Sequence, residues 1–187
     1  LLFPVWSKTL DEFEVAKQSR RVELEEYLIN RINRRNGPAA TLLGTDPYTG
    51  KTLADLELEM DMPFEKILID VIGPQGAGGA YFIMDDALQS RLLEDEMITA
   101  SSDGSPTGFH PRGHGTFAKI IEEYVVNRGA VSLEEMVRKM TSFSASILGL
   151  QDRGSIEPGK VADLVLFDPE NIRAKATYPD PLQLSTE

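Results

Sequence analysis

The sequence contains no cysteine, which excludes disulfide bonds and thiolate metal ligands. It has only two histidines, His110 and His114, so this chain cannot assemble a histidine-rich metal site from its own residues. No apolar run approaches the roughly 20 residues that a membrane-spanning helix requires. These shortages exclude a disulfide-stabilised domain and disfavour both a membrane span and a self-sufficient zinc site.

Basic residues are also in short supply. The chain has 19 Lys and Arg against 30 Asp and Glu, a net charge of −11 at pH 7 and an isoelectric point near 4.7. This balance disfavours nucleic acid and anionic membranes as partners. The hydrophobic share of 41% over 187 residues permits one domain with a sizeable core. No signal-like segment is present at the first residues, so the cytoplasm is the expected compartment.

Hydrophobic periodicity and helix-capping residues predict helices over much of the chain. The longest extends from Thr9 to Asn36 and stops at Gly37-Pro38. Ser132 and Glu135 form a capping-box pattern that begins a later helix. The other predicted helices are 53–60, 63–72, 85–93 and 116–128, and the predicted strands are 39–43, 80–84, 97–100 and 162–168.

The stretch 97–117 contains an apolar strand, an Asp-Gly pair and both histidines of the chain. The predicted strand ends in Ser101-Ser102-Asp103-Gly104, and the next helix is predicted to begin at Thr116. In parallel α/β proteins the loops beyond the carboxyl ends of the strands build the active site. Asp103 is therefore predicted to be an exposed acid at the mouth of a sheet. The alternative interpretation is that Asp103 only caps a turn, because Asp-Gly is common turn chemistry.

Four motifs follow one another in this region: SSDG, HPRGHGTF, SLEEMVRKMTSFSASILGL and DRGSIEPGKVADLVLFDP. Their order resembles the carboxyl-terminal part of the N-acyl-D-amino-acid deacylases (D-aminoacylases), which are members of the amidohydrolase superfamily. The resemblance implies an α/β fold. Residues 1–150 would form the C-terminal portion of a (β/α)8 metal-dependent hydrolase barrel. Residues 151–187 would be an incomplete return segment into a small β-sandwich-like domain.

The resemblance also implies roles for individual residues. A metal, expected to be zinc in the full-length enzyme, would activate water for attack on an amide carbonyl. Asp103 matches the position that moves the proton from water to the departing amine, and it is also a possible metal ligand. Ser105, His110 and Arg112 would contact the substrate. Arg112 either holds a substrate carboxylate in a bidentate pair or pairs with an acid inside its own loop.

The chain departs from the resembled enzymes in its metal ligands. Those enzymes need a His-x-His pair and further histidines, and a zinc site normally has three or four protein ligands. This chain is therefore expected to be inactive alone and to bind zinc weakly or not at all. A partial barrel exposes two sheet edges, so self-association or pairing with the missing amino-terminal part is expected.

The leading functional hypothesis is hydrolysis of N-acyl-D-amino acids to a carboxylate and a free D-amino acid. One alternative is a cyclic-amide hydrolase of the same superfamily, similar to dihydroorotase or hydantoinase. Another is a non-catalytic subunit or scaffold, which the missing ligands favour. Nucleotide binding is rejected because the glycines before Lys51 and Thr52 lack the spacing of a phosphate-binding loop.

Overall fold

Helices make up most of the regular structure in the computed structural model, which describes residues 2–76, 78–105 and 110–186. The chain divides into two units, 1–83 and 84–187. No helix in the described part of the chain is both long and apolar enough to cross a bilayer. The two units are defined by packing within this chain. The predicted domain boundary at residue 150 is a different division and stays a prediction.

The described residues of the first unit form short helices around one core. The elements are α1 (Leu10–Ser19), α2 (Arg21–Asn33), α3 (Leu53–Met60), α4 (Phe64–Lys66), a π-helical segment (Ile67–Ile72) and α5 (Gly73–Gly76). The core is apolar, and its fully buried members include Leu24, Leu28, Ile32, Leu43, Leu53, Leu56, Ile67 and Leu68. These positions recur three or four residues apart on α2 and α3, which is the spacing of a buried helix face.

The single long helix predicted from Thr9 to Asn36 is wrong. The backbone breaks at Arg20, whose φ of −132° and ψ of 32° are not helical, and two helices result. Arg20 stacks its guanidinium over the ring of Trp6 at 3.9 Å and pairs with Glu23. Apolar spacing persists across the break, because both helices bury the same kind of face, so periodicity alone could not locate it.

The sheet of the described residues is antiparallel and has two strands. Strand β1 (Thr41–Leu43) pairs with β2 (Gly79–Tyr81), with Thr41 opposite Tyr81 and Leu43 opposite Gly79. The backbones approach closely: a Cβ on Gly79 would lie 2.5 Å from the carbonyl oxygen of Leu42. Strand β1 lies within the predicted strand 39–43, whereas β2 overlaps the predicted strand 80–84 only at residues 80 and 81. Their antiparallel pairing differs from the parallel arrangement that was expected.

Arg21 joins helix α2 to the π-helical segment of the first unit. Its guanidinium donates two hydrogen bonds to the carboxylate of Asp70, at 2.7 and 2.6 Å, and a third to Glu25. The hydrogen bonds from Arg21 are the main reason that the pKa of Asp70 is lowered to about 2. This bidentate pair ties two elements that lie far apart in the sequence.

The second unit is built from helices and long irregular segments. Its helices are α6 (Asp86–Glu94), α7 (Arg112–Ile120), a π-helical continuation of α7 (Ile121–Asn127), α8 (Leu133–Met140) and α9 (Ser142–Ile147). Asp85 caps α6 by accepting from the backbone N–H of Leu88, and the Ser132 hydroxyl accepts from the N–H of Glu135 at the start of α8. The predicted starts of α6 and α8 are thereby confirmed.

Two predicted strands of the second unit are not formed. Residues 97–100 and 162–168 lie outside any strand, and the bridges in the described residues join other positions. A strand exists only with a hydrogen-bonded neighbour, and no described segment forms a β-ladder with either one. The α/β class holds, whereas the parallel strands of a partial barrel do not occur among the described residues.

Candidate active site

The segment 101–105 passes directly against the first turn of helix α7. A Cβ on Gly104 would lie 3.1 Å from the Cα of Gly113 and 3.2 Å from the carbonyl oxygen of Arg112. A Cβ on Gly113 would lie 3.1 Å from the carbonyl oxygen of Ser105. Glycine on both sides of this contact lets the two backbones meet, which brings the side chains of the SSDG and HPR motifs together.

Asp103 and Arg112 form an ion pair at this contact. The Oδ2 atom of Asp103 lies 3.0 Å from Nη1 of Arg112, and the Asp103 side chain is 87% exposed. Asp103 has a φ of 47°, in the left-handed region that aspartate tolerates in turns. The structure therefore places the predicted acid in an irregular segment, not at the end of a strand. It also realises one interpretation of Arg112, the pairing with an acid of its own loop.

Helix α7 begins at Arg112, four residues before the predicted start at Thr116. Pro111 precedes the first turn with a φ of −58°, which is preorganised for a helix. The low helix propensity of Gly113 and Gly115 misled the prediction. The early start puts Arg112 in the first turn and His114 in the same helix.

His110 precedes α7 and is held as a neutral imidazole. Its Nδ1 atom accepts a hydrogen bond from the backbone N–H of Arg112 at 3.1 Å, so Nδ1 carries no proton and the proton lies on Nε2. Burial lowers the pKa of His110, and the positive charge of Arg112 lowers it further, while Asp103 opposes the shift. The ring can then offer Nε2–H as a donor at neutral pH.

Tyr178 is a site residue that sequence reasoning missed. Its ring meets the His110 ring edge-on, with 5.2 Å between centroids and 77° between planes. Burial raises the pKa of the Tyr178 hydroxyl. No local signal marks this tyrosine, because it reaches His110 only through tertiary folding.

The remaining candidate residues lie beside this group. Ser105 is exposed, and its carbonyl oxygen faces Gly113. The carbonyl oxygen of His114 accepts a hydrogen bond from the Ser185 hydroxyl at 3.1 Å. Within residues 2–76, 78–105 and 110–186, no group of three or more His, Asp or Glu side chains could hold a metal ion. The described residues therefore do not fit a zinc site by themselves, and Asp103 would supply at most one ligand.

Comparison with known proteins identifies the protein family that this chain matches. The model of the Amidohydrolase family matches residues 23–184. N-acyl-D-aspartate deacylase of Alcaligenes xylosoxydans xylosoxydans is 33% identical over 190 aligned residues, which cover 95% of this chain and 38% of that protein. A dihydroorotase of Ruminiclostridium cellulolyticum is 43% identical over only 56 residues, which cover 30% of this chain and 13% of that protein.

A solved structure is similar over most of the chain. It is N-acyl-D-glutamate deacylase from Bordetella bronchiseptica, complexed with zinc and a phosphonate inhibitor that mimics the tetrahedral intermediate of its reaction. The TM-score is 0.70 at 28% identity, and the match covers 82% of this chain and 33% of that one. This chain thus spans between a third and two fifths of the length of these two deacylases.

Proposed function

This chain belongs to the amidohydrolase family, and from that premise we propose that it is the carboxyl-terminal part of a zinc-dependent N-acyl-D-amino-acid deacylase. The longer protein would hydrolyse the amide of an N-acyl-D-amino acid to a carboxylate and a free D-amino acid. The chain would supply the last strands and helices of a (β/α)8 barrel, together with a segment of a small β domain. The cytoplasm stays the predicted compartment.

The observation that carries the proposal is the meeting of Asp103 and Arg112 at 3.0 Å. An exposed carboxylate can accept and return a proton, and a guanidinium beside it can bind the carboxylate that every N-acyl-amino acid presents. Both groups lie at the contact between the SSDG and HPR motifs, which carry the resemblance to the deacylases.

Asp103 is assigned to proton transfer. Its carboxylate takes the proton from the attacking water and gives it to the departing amine as the amide carbon–nitrogen bond breaks. Its exposed side chain is accessible to water and to a substrate. The pair with Arg112 keeps the carboxylate directed towards the first turn of α7.

The substrate contacts are assigned to Arg112, His110 and Ser105. Arg112 presents a planar fork that can exchange its Asp103 partner for a substrate carboxylate. His110, neutral with its proton on Nε2, can donate to a substrate oxygen without adding a charge. The exposed Ser105 follows Asp103 by two residues, and its hydroxyl is a further candidate donor.

Zinc is assigned to the longer protein and not to this chain alone. A bound zinc ion activates water and polarises the carbonyl in such enzymes. Since the described residues do not complete a zinc site, the other ligands would come from residues outside this chain. We also propose that the chain associates with those residues, or with itself when they are absent.

The decisive experiment is a deacylase assay of the longer protein with Asp103→Asn. The loss of a positioned acid–base group is expected to lower kcat by about 10²- to 10⁴-fold. Asp163→Asn is the matched control, because Asp163 is also an exposed aspartate paired with one arginine, at 2.8 Å from Arg153. An exposed ion pair contributes little, so the control should keep wild-type activity.

Near-wild-type activity of Asp103→Asn would contradict the proton-transfer role. Turnover of a cyclic amide such as dihydroorotate, with no turnover of N-acyl-D-amino acids, would favour the cyclic-amide hydrolase instead. A longer protein without zinc and without either activity would favour the non-catalytic subunit.

A further inference from the structure

Residues 172–186 fold back on themselves and form a turn at 177–180. The backbone N–H of Thr177 donates to the carbonyl oxygen of Asp180 at 3.0 Å, and the N–H of Asp180 donates to the Thr177 hydroxyl at 3.1 Å. The returning segment closes the loop, because the N–H of Thr186 donates to the carbonyl oxygen of Arg173 at 3.0 Å in an isolated bridge. Tyr178 therefore lies at the tip of a braced turn.

The base of this folded segment is tied to helix α7 and its π-helical continuation. The backbone N–H of Ala174 donates to the carboxylate of Glu122 at 2.9 Å, and Arg173 lies 3.7 Å from the same carboxylate. Ile172 is buried against Ala118 and Ile121. The segment is therefore anchored by a hydrogen bond, an ion pair and an apolar contact.

The segment lies directly over Gly115 of helix α7, with space for a Cβ atom but not for a long side chain. A Cβ on Gly115 would be 3.4 Å from the Cβ of Ala176 and 3.7 Å from that of Ala174. A larger side chain at this position would push the segment away from the helix. Ser185 adds a second tie on the same turn of α7, through the carbonyl oxygen of His114 at 3.1 Å.

The result of this anchoring is the contact between Tyr178 and His110. Edge-to-face aromatic pairs favour one relative orientation of the rings. At a separation of 5.2 Å, the Tyr178 ring restricts rotation of the imidazole that accepts from the N–H of Arg112. If the imidazole rotated, Nδ1 would lose this donor and the proton could move from Nε2 to Nδ1.

We propose that Tyr178 is a positioning residue that holds His110 in one tautomer and one orientation, beside the Asp103–Arg112 pair. The inference rests on the proposed function for its consequence in catalysis. Its structural part, the control of the His110 ring by a residue of the carboxyl-terminal segment, is independent of any activity. The segment 172–178 would thereby act on substrate binding through His110.

Nitrogen NMR of the imidazole rings tests the structural part directly, because the chain has only two histidines. In the wild type we expect His110 to show an unprotonated Nδ1 and a protonated Nε2. In Tyr178→Leu the chemical shifts of both nitrogens should move towards those of a mixture of tautomers. Tyr178→Phe keeps the ring and should retain the wild-type pattern. His114 is the internal control, since a general loss of structure around α7 would change its signals as well.

A second variant removes the contact without touching the tyrosine. Gly115→Leu should displace the segment and produce the same change at His110 as Tyr178→Leu. An unchanged His110 tautomer in both variants would overturn the proposal. In Tyr178→Leu, a change at His114 as large as that at His110 would also overturn it, because the effect would then be general unfolding.

The consequence for catalysis is measured in the longer protein. Tyr178→Leu should raise KM for an N-acyl-D-amino acid about tenfold and leave kcat within about twofold, because His110 is assigned to binding. Unchanged KM in an active enzyme would overturn the positioning role. A failure of the proposed function can be distinguished from a failure of the positioning role. The first would show in the Asp103→Asn assay, whereas the second is detected in the tautomer of His110, which is measured without substrate.

Discussion

At the scale of single residues, Lys139 is the charged side chain that the described part of the chain buries completely. Its ammonium donates to the carbonyl oxygens of Leu93 and Asp95, the latter at 2.6 Å. These carbonyls lie at the end of helix α6, where carbonyl groups lack intrahelical partners and a cation is favourable. Lys139 therefore holds the start of the segment that leads to Asp103.

Lys139→Met should destabilise the chain by about 1–3 kcal/mol, because the carbonyl of the buried Leu93 would lose this donor. The carbonyl of Asp95 keeps a second donor, the backbone N–H of Ile98. Methionine fills much of the same volume, so a cavity contributes little to the loss. Urea denaturation followed by circular dichroism measures the effect. Lys175→Met is the control at an exposed lysine and should stay within about 0.5 kcal/mol of the wild type. A Lys139→Met variant as stable as the control would contradict this account.

At the scale of elements, the two helices with π-helical extensions differ from the capped helices around them. The π-helical segments Ile67–Ile72 and Ile121–Asn127 each contain an acid that joins a distant part of the chain: Asp70 pairs with Arg21, and Glu122 accepts from Ala174. In proteins generally, π-helical segments are frequent at functional sites. In this chain both serve as attachment points.

The segment 161–167 presents three consecutive apolar side chains to solvent. Leu164, Val165 and Leu166 are 65%, 84% and 93% exposed. Consecutive exposed apolar residues with no strand beside them favour association, since burial of such a surface is the main driving force between protein chains. We expect the chain alone to self-associate through this segment.

Light scattering tests the association, with Leu166→Glu expected to reduce the measured mass towards that of the monomer. Leu58→Glu is the matched control, because Leu58 is also a highly exposed leucine, at 86%, but lies on helix α3. A wild-type chain that stays monomeric at high concentration would contradict the expectation. Equal effects of the two substitutions would mean that the association does not depend on segment 161–167.

At the scale of the whole molecule, the side chains that can coordinate a metal decide whether the chain binds zinc. The sequence has two histidines and no cysteine, and the described residues bring no three ligands together. Calorimetric titration of the isolated chain with zinc should therefore show no tight, stoichiometric site. Asp103→Asn should give the same titration curve. A one-to-one site that Asp103→Asn abolishes would mean that Asp103 and other residues of this chain hold the metal alone.

The sequence determined those features that depend on residues close together along the chain. Helices α3, α6 and α8 begin near their predicted positions because each capping side chain bonds a backbone N–H three residues later. The motifs from SSDG to HPR identified Asp103, Arg112 and His110 as one group, and the structure brings the first two together at 3.0 Å.

Only the tertiary structure decided the features that depend on distant partners. The break at Arg20, the absence of strands at 97–100 and 162–168 and the contact of Tyr178 with His110 carry no local signal. A strand needs a hydrogen-bonded neighbour and an aromatic pair needs a second ring, and both come from elsewhere in the chain. Local interactions therefore placed the capped starts of helices, whereas contacts between distant residues decided the sheet and the surroundings of His110.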